Sequence, residues 1–230
     1  MKYFALLCCL AGMMVWAGCA KLVVPVGPAN EEGSVGYPNG TNEGYTSQQL
    51  YPVAELSGLS VGDCITGVAA RLNAVGRTTP ETSSKPLTEQ VWSRFDIRIG
   101  EGQDFLGPNL ADNFVSAPTL VRSGEFTVSP NFFPGDNPSG PHSFSQIASF
   151  DTPYVYTGGN LLIEFRLIVD DEDWNFDYWG PSQTAGQFIS ALGDDATMSD
   201  NVIEGVLALQ FQITSVPTPS SLIQSLNPAR

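Results

Sequence analysis

The sequence predicts an all-β protein, a two-sheet antiparallel β-sandwich, jelly-roll-like, of about eight strands. Three observations predict it. Leu161, Ile163, Phe165, Leu167 and Val169 alternate with Leu162, Glu164, Arg166 and Ile168, and a period of two places one face of an extended strand in a core. Charged residues make up only 15% of the chain while Gly and Pro together number 40, a composition suited to short strands joined by frequent turns. No stretch of the body carries a convincing helical period, and no repeat of about 20–50 residues recurs.

The N-terminus comes first. Met1 and Lys2 precede an apolar run of 14 residues, YFALLCCLAGMMVW. A membrane span requires about 20 residues, so the run reads as the apolar centre of a signal peptide covering residues 1–18. Trp16-Ala17-Gly18-Cys19 resembles a lipobox, in which the cysteine takes a diacylglyceryl group and becomes the new N-terminus. Cys19 is therefore the candidate lipidation site; ordinary cleavage near Ala17 or Ala20 is the alternative. Export to the cell envelope as an outer-membrane lipoprotein, or else secretion, follows. Residues 19–48 are expected to be a flexible tether, because Gly, Pro, Asn, Ser and Thr dominate without an apolar period.

Cysteine usage agrees with this scheme. Cys8 and Cys9 fall within the leader, and Cys64, beside Ile65, is expected to be buried and inert. Without acylation, a Cys19–Cys64 disulfide is the alternative in an oxidising compartment.

The β-sandwich domain is placed at residues 49–214. Its strands are expected at 51–56, 64–73, 91–99, 120–128, 143–150, 161–169, 187–192 and 202–214. Residues 100–118 form a long connection carrying Leu110 and Phe114, of the kind that plugs the end of a sandwich. Ser123-Gly124 marks a turn, and Gly158-Gly159-Asn160 leads into the central strand because these residues accept positive φ. Pro153 removes a backbone donor, so the strand before it should end near Phe150. Residues 215–230 are expected to be a disordered tail.

GNLLIEFR at residues 159–166 resembles a strand of exported bacterial proteins of the PEP-CTERM, exosortase-sorted kind. LADNF at 110–114, VRSGEFTV at 121–128 and VPTPSS at 216–221 match the same family in the same order. The resemblance spans residues 49–221 and implies a cell-surface or exported β-sandwich, with no catalytic residue among its motifs. The family's C-terminal sorting helix and Arg cluster are missing from this sequence.

The net charge is −14, and −15 once Lys2 leaves with the leader. The remaining basic residues are scattered singly, which excludes nucleic acid and disfavours anionic surfaces. The expected partners are a membrane, through the lipid on Cys19, and extracellular polysaccharide.

Chemistry concentrates in DDEDWNFDYW, residues 170–179. Asp171, Asp173, Asn175 and Asp177 recur at every second residue and carry the hard oxygen ligands that calcium takes. This is not an EF-hand, since Phe176 stands where its glycine would. As a strand, the four would stand about 7 Å apart on one face, so calcium requires a curled loop and a solvated acidic stretch does not. Trp174, Tyr178 and Trp179 interleave with the acids and could stack on sugar rings; their strand spacing equally suits core packing. No cofactor is expected, calcium aside. His142, the sole histidine, is expected on a solvated loop, and no GxSxG occurs. The expected function is non-catalytic, that of a cell-envelope or extracellular-matrix protein. A carbohydrate- or calcium-binding module and a secreted glycan-active enzyme are the alternatives.

Overall fold

Strands form where the period of two is strong, and in several places where it is hidden. The computed structural model describes residues 19–25, 30–36, 44–74, 84–137, 140–169, 176–179, 186–199 and 201–215. The chain runs through β1 (Cys19–Val24), β2 (Ser34–Gly36), β3 (Tyr45–Tyr51), β4 (Cys64–Ala70) and β5 (Gln90–Trp92). Next come β6 (Arg94–Glu101), β7 (Thr119–Arg122), β8 (Phe126–Val128), β9 (Ala148–Val155) and β10 (Leu161–Ile168). β11 (Phe176–Trp179), β12 (Gln187–Leu192), β13 (Val202–Glu204), β14 (Val206–Leu207) and β15 (Leu209–Thr214) complete it.

The fold class is the expected one, all-β with antiparallel sheets packed together. One sheet has the order β1-β15-β4-β9 and the other β13-β12-β3-β10-β6-β7. A three-stranded piece, β14-β11-β2, and the pair β5-β8 accompany them. Strands exceed the expected eight because the segments 91–99, 120–128 and 202–214 break into short pieces and because β1, β2, β3 and β11 form where no strand was expected. Residues 202–214 break at Gly205, whose φ of 114° suits glycine and where a Cβ would stand 2.1 Å from the Trp179 carbonyl oxygen.

β10 lies at the centre of the larger sheet, between β3 and β6. Leu161, Ile163, Phe165, Leu167 and Val169 are all buried in the main core, as the alternation requires. The main core also takes Val68 of β4 and Phe211 and Ile213 of β15 from the smaller sheet. The opposite face of β10 is covered as well. Leu106, Leu110 and Phe114 of the 102–118 connection pack there on Leu50, Leu162 and Ile189 as a second core. That connection thus lies over the outside of the sheet instead of plugging an end. Gly102 permits the close approach: a Cβ there would stand 2.4 Å from Leu50 Cδ1.

Three other expectations are corrected. Residues 19–48 are not a tether throughout, since β1, β2 and β3 all belong to sheets. Leu22-Val23-Val24 is a short branched run that pairs along β15, and Val24 is fully buried. β3 sits between β12 and β10 with every residue buried, yet Ser47 and Gln49 share the core-facing row with Tyr45 and Tyr51. Polar residues on both faces hid its period. Residues 53–56 form a 3-10 turn where a strand was expected. Finally, β9 continues past Pro153 to Val155. β9 is an edge strand whose pairing with β4 jumps from Ser149 to Tyr154, so the proline occupies an unpaired stretch and forfeits no ladder bond.

Candidate functional site

The acidic and aromatic cluster is only partly within the described residues. Asp171, Asp173, Asn175 and Trp174 lie outside them. Asp177, Tyr178 and Trp179 belong to β11, and all three are buried.

Asp177 is fully buried and committed to protein groups. Its Oδ2 accepts from Arg71 Nε at 2.6 Å and from Arg71 Nη2. Its Oδ1 accepts from the Gly33 amide at 2.7 Å and from Asn73 Nδ2 at 3.4 Å. Arg71 Nη2 also donates to the Glu31 carbonyl, and the guanidinium stands 5.1 Å from the Phe144 ring centroid. Burial pushes the Asp177 carboxyl up, against the pull of Arg71. Beside it, Glu32 Oε1 accepts from the Ala74 amide at 2.5 Å; burial raises its pKa too. This centre pins residues 31–34 and 71–74 to β11. A carboxylate with its lone pairs so occupied is not an open ligand for a cation, which corrects the expectation for Asp177.

Tyr178 is 8% exposed and Trp179 4%. The Tyr178 hydroxyl donates to the Glu204 carbonyl, and its ring meets Phe188 edge-on at 6.4 Å. Both rings are buried in the main core, so neither offers a face to a sugar. The core-packing reading holds for these two. His142 is likewise buried, not solvated, because its Nδ1 accepts from the Asn137 amide at 3.0 Å within the loop. Among the described residues, no group of three or more His, Cys, Asp or Glu side chains could hold a metal ion.

The outer face of the larger sheet carries a second polar centre that the sequence did not single out. Glu164 Oε1 accepts from Arg98 Nη1 at 2.6 Å and Arg166 Nε at 2.7 Å. Its Oε2 accepts from Gln48 Nε2 at 2.8 Å, and Gln48 Oε1 accepts from Asn113 Nδ2 at 2.8 Å. Further along, Arg94 joins Asp96, Asp194 and Asp195. Alternate Arg and acid residues on β6 and β10 were the available signal. Their partners in 194–195 come from the chain's far end.

Among the predicted site residues that lie within the described residues, Cys19 is the exposed one. It opens β1, is exposed, and its Sγ accepts from Gln212 Nε2 at 2.9 Å. Thr214 pairs with Cys19 on one side and with Cys64 on the other. The two cysteines are thus two strands apart, roughly 9–10 Å between Cα atoms. A disulfide needs Cα atoms within about 7 Å, so the pair cannot close without strand displacement, and both thiols are free. Cys64 is half-buried, more accessible than expected. The Cys19 corner is the candidate functional site: an exposed nucleophile at the rim of the smaller sheet, chemically able to carry a thioether-linked lipid.

No protein-family model matches this chain, and no curated protein matches it.

Proposed function

We propose that this chain is an exported, non-catalytic β-sandwich of the cell envelope, anchored through a lipid on Cys19. The observation that carries the reading is the placement of Cys19. Its thiol is exposed at the first position of an edge strand, so acylation displaces no core side chain. The signal-peptide pattern, the Trp16-Ala17-Gly18-Cys19 sequence and the PEP-CTERM resemblance support the same reading.

The fold adds a consequence. Because β1 begins at Cys19, the sheet itself begins at the anchor, and the sandwich is held directly against the bilayer surface. The low content of basic residues means that electrostatic attraction contributes little, and the acyl chains supply the affinity. The test is the mature protein from its native membrane fraction. Its mass should include a diacylglyceryl increment on Cys19, and Cys19→Ser should move the protein to the soluble fraction. A mature N-terminus at another residue, or membrane retention of Cys19→Ser, overturns the reading.

A further inference from the structure

Between the two sheets lies a cavity of about 90 Å³, partly open to solvent. Close-packed interiors contain few voids larger than a water molecule, so this one calls for a cause. The cause is a mismatch of side-chain size. On one side stand large rings, among them Trp92, Phe95, Phe126, Phe132 and Phe165. The smaller sheet contributes Val68, Ala69 and Ala70 of β4, Ala148 of β9 and Leu209 of β15, and the alanines among them are too short to reach the rings. The empty volume leaves the rings without dispersion partners on that side.

The wall is apolar apart from Ser47, Gln49 and Ser145. Gln49, on the core-facing row of β3, lines the cavity and is fully buried. Its Oε1 accepts from the Leu207 amide at 2.8 Å, while the Tyr51 hydroxyl, 3.1 Å away, gives its single proton to the Leu207 carbonyl at 2.8 Å. The bond from the Leu207 amide, a donor only, fixes the amide orientation, and Nε2 is left buried without a hydrogen-bond partner among the described residues. A buried donor with no acceptor is costly and rare. Ser47, two residues earlier on the same row, lines the same wall.

We propose that this cavity is a binding site for a small apolar molecule carrying one acceptor oxygen, of the aryl or alkyl ketone class. The rings take the hydrocarbon body, and Gln49 Nε2 donates to the oxygen. A dry cavity of about 150 Å³ holds a benzene ring; this smaller, partly open one takes a single ring or chain end with the remainder at the mouth. The site is independent of the anchor on Cys19, which lies at the N-terminal rim of the smaller sheet.

Acetophenone and ethylbenzene test this directly, since they share a shape and differ by the carbonyl oxygen. Both should raise the melting temperature of the full mature chain, because a ligand that prefers the folded state stabilises it by mass action. Acetophenone should bind about fivefold more tightly, the worth of one hydrogen bond, with a saturable change in tryptophan fluorescence from Trp92. Ala148→Leu fills the space and should weaken both probes at least tenfold; Ala70→Val serves the same purpose if that variant does not fold. Gln49→Met should abolish the preference for the ketone while ethylbenzene still binds. No saturable binding of either probe, as a cavity holding only water would give, overturns the proposal. So does binding undiminished in the filled variants, and equal affinity for the two probes in the unmodified protein overturns the role of Gln49.

Discussion

Glu164 shows how a single charged residue can be buried on the nominally solvent side of a strand. It is 3% exposed, beneath the 102–118 connection and beside two arginines. Burial works to raise its pKa, but hydrogen bonds from Arg166, Gln48 and Arg98 outweigh it and hold the carboxyl below its ordinary value of 4.5. The folded protein therefore keeps Glu164 ionised after the unfolded chain has taken up its proton. Its contribution to stability is full above the unfolded pKa and is lost as pH falls through the lowered folded one. Glu164→Gln should cost about 1–3 kcal/mol at pH 7, less than a fully buried pair because Arg98 and Arg166 are partly solvated. It should also flatten the loss of stability below about pH 4. Urea unfolding of both proteins from pH 7 to pH 3 checks this; parallel curves would remove Glu164 from the acid response. Asp177 has the opposite sign. Burial leaves its pKa raised despite Arg71, so its contribution is present at low pH and declines as pH rises through the raised value.

At the scale of the element, β10 is unusual in being covered on both faces along part of its length. Phe165→Ala should cost about 3 kcal/mol, the low end for a buried phenylalanine, because one side of its ring already adjoins the cavity. Leu162→Ala, on the opposite face, should cost about 2–5 kcal/mol, since Leu162 is fully buried with Leu110 and Phe114. Equilibrium unfolding measures both. A negligible cost for Leu162→Ala would mean that the connection does not pack on the sheet. The same double coverage explains why β10 carries Leu161, Leu162 and Ile163 in succession before its alternation turns polar.

At the scale of the whole molecule, the N-terminal strand closes the smaller sheet. β1 covers the edge of β15 over six residues, which otherwise presents unpaired backbone groups. Val24→Ala should lower stability by about 2 kcal/mol, from the methyl groups it removes from the core. A flexible tether would give no change, so thermal or urea unfolding separates the two arrangements. The result bears on the anchor as well. On the proposed lipid anchor at Cys19, with β1 in the sheet, the distance between membrane and sandwich would be set by the lipid and not by a spacer.

The sequence by itself determined the fold class and the face of the central strand. A period of two in residues 161–169, and again in 94–99 and 209–214, needs only local pleating and one buried face, so it is readable without knowing the partner. It also offers Cys19 as a candidate, because a lipobox-like pattern is linear, and the acylation itself is our proposal. Tertiary structure decided the rest. β3 carries Ser47 and Gln49 on the core side, and only the cavity and the Leu207 amide make those positions intelligible. Asp177 sat among acids that looked solvated; it is buried because Arg71, 106 residues away in sequence, meets it. Tyr178 and Trp179 had the spacing of core residues and the company of a binding loop. What settled them was their packing in the main core, with Tyr178 against Phe188, a long-range arrangement that no local pattern encodes.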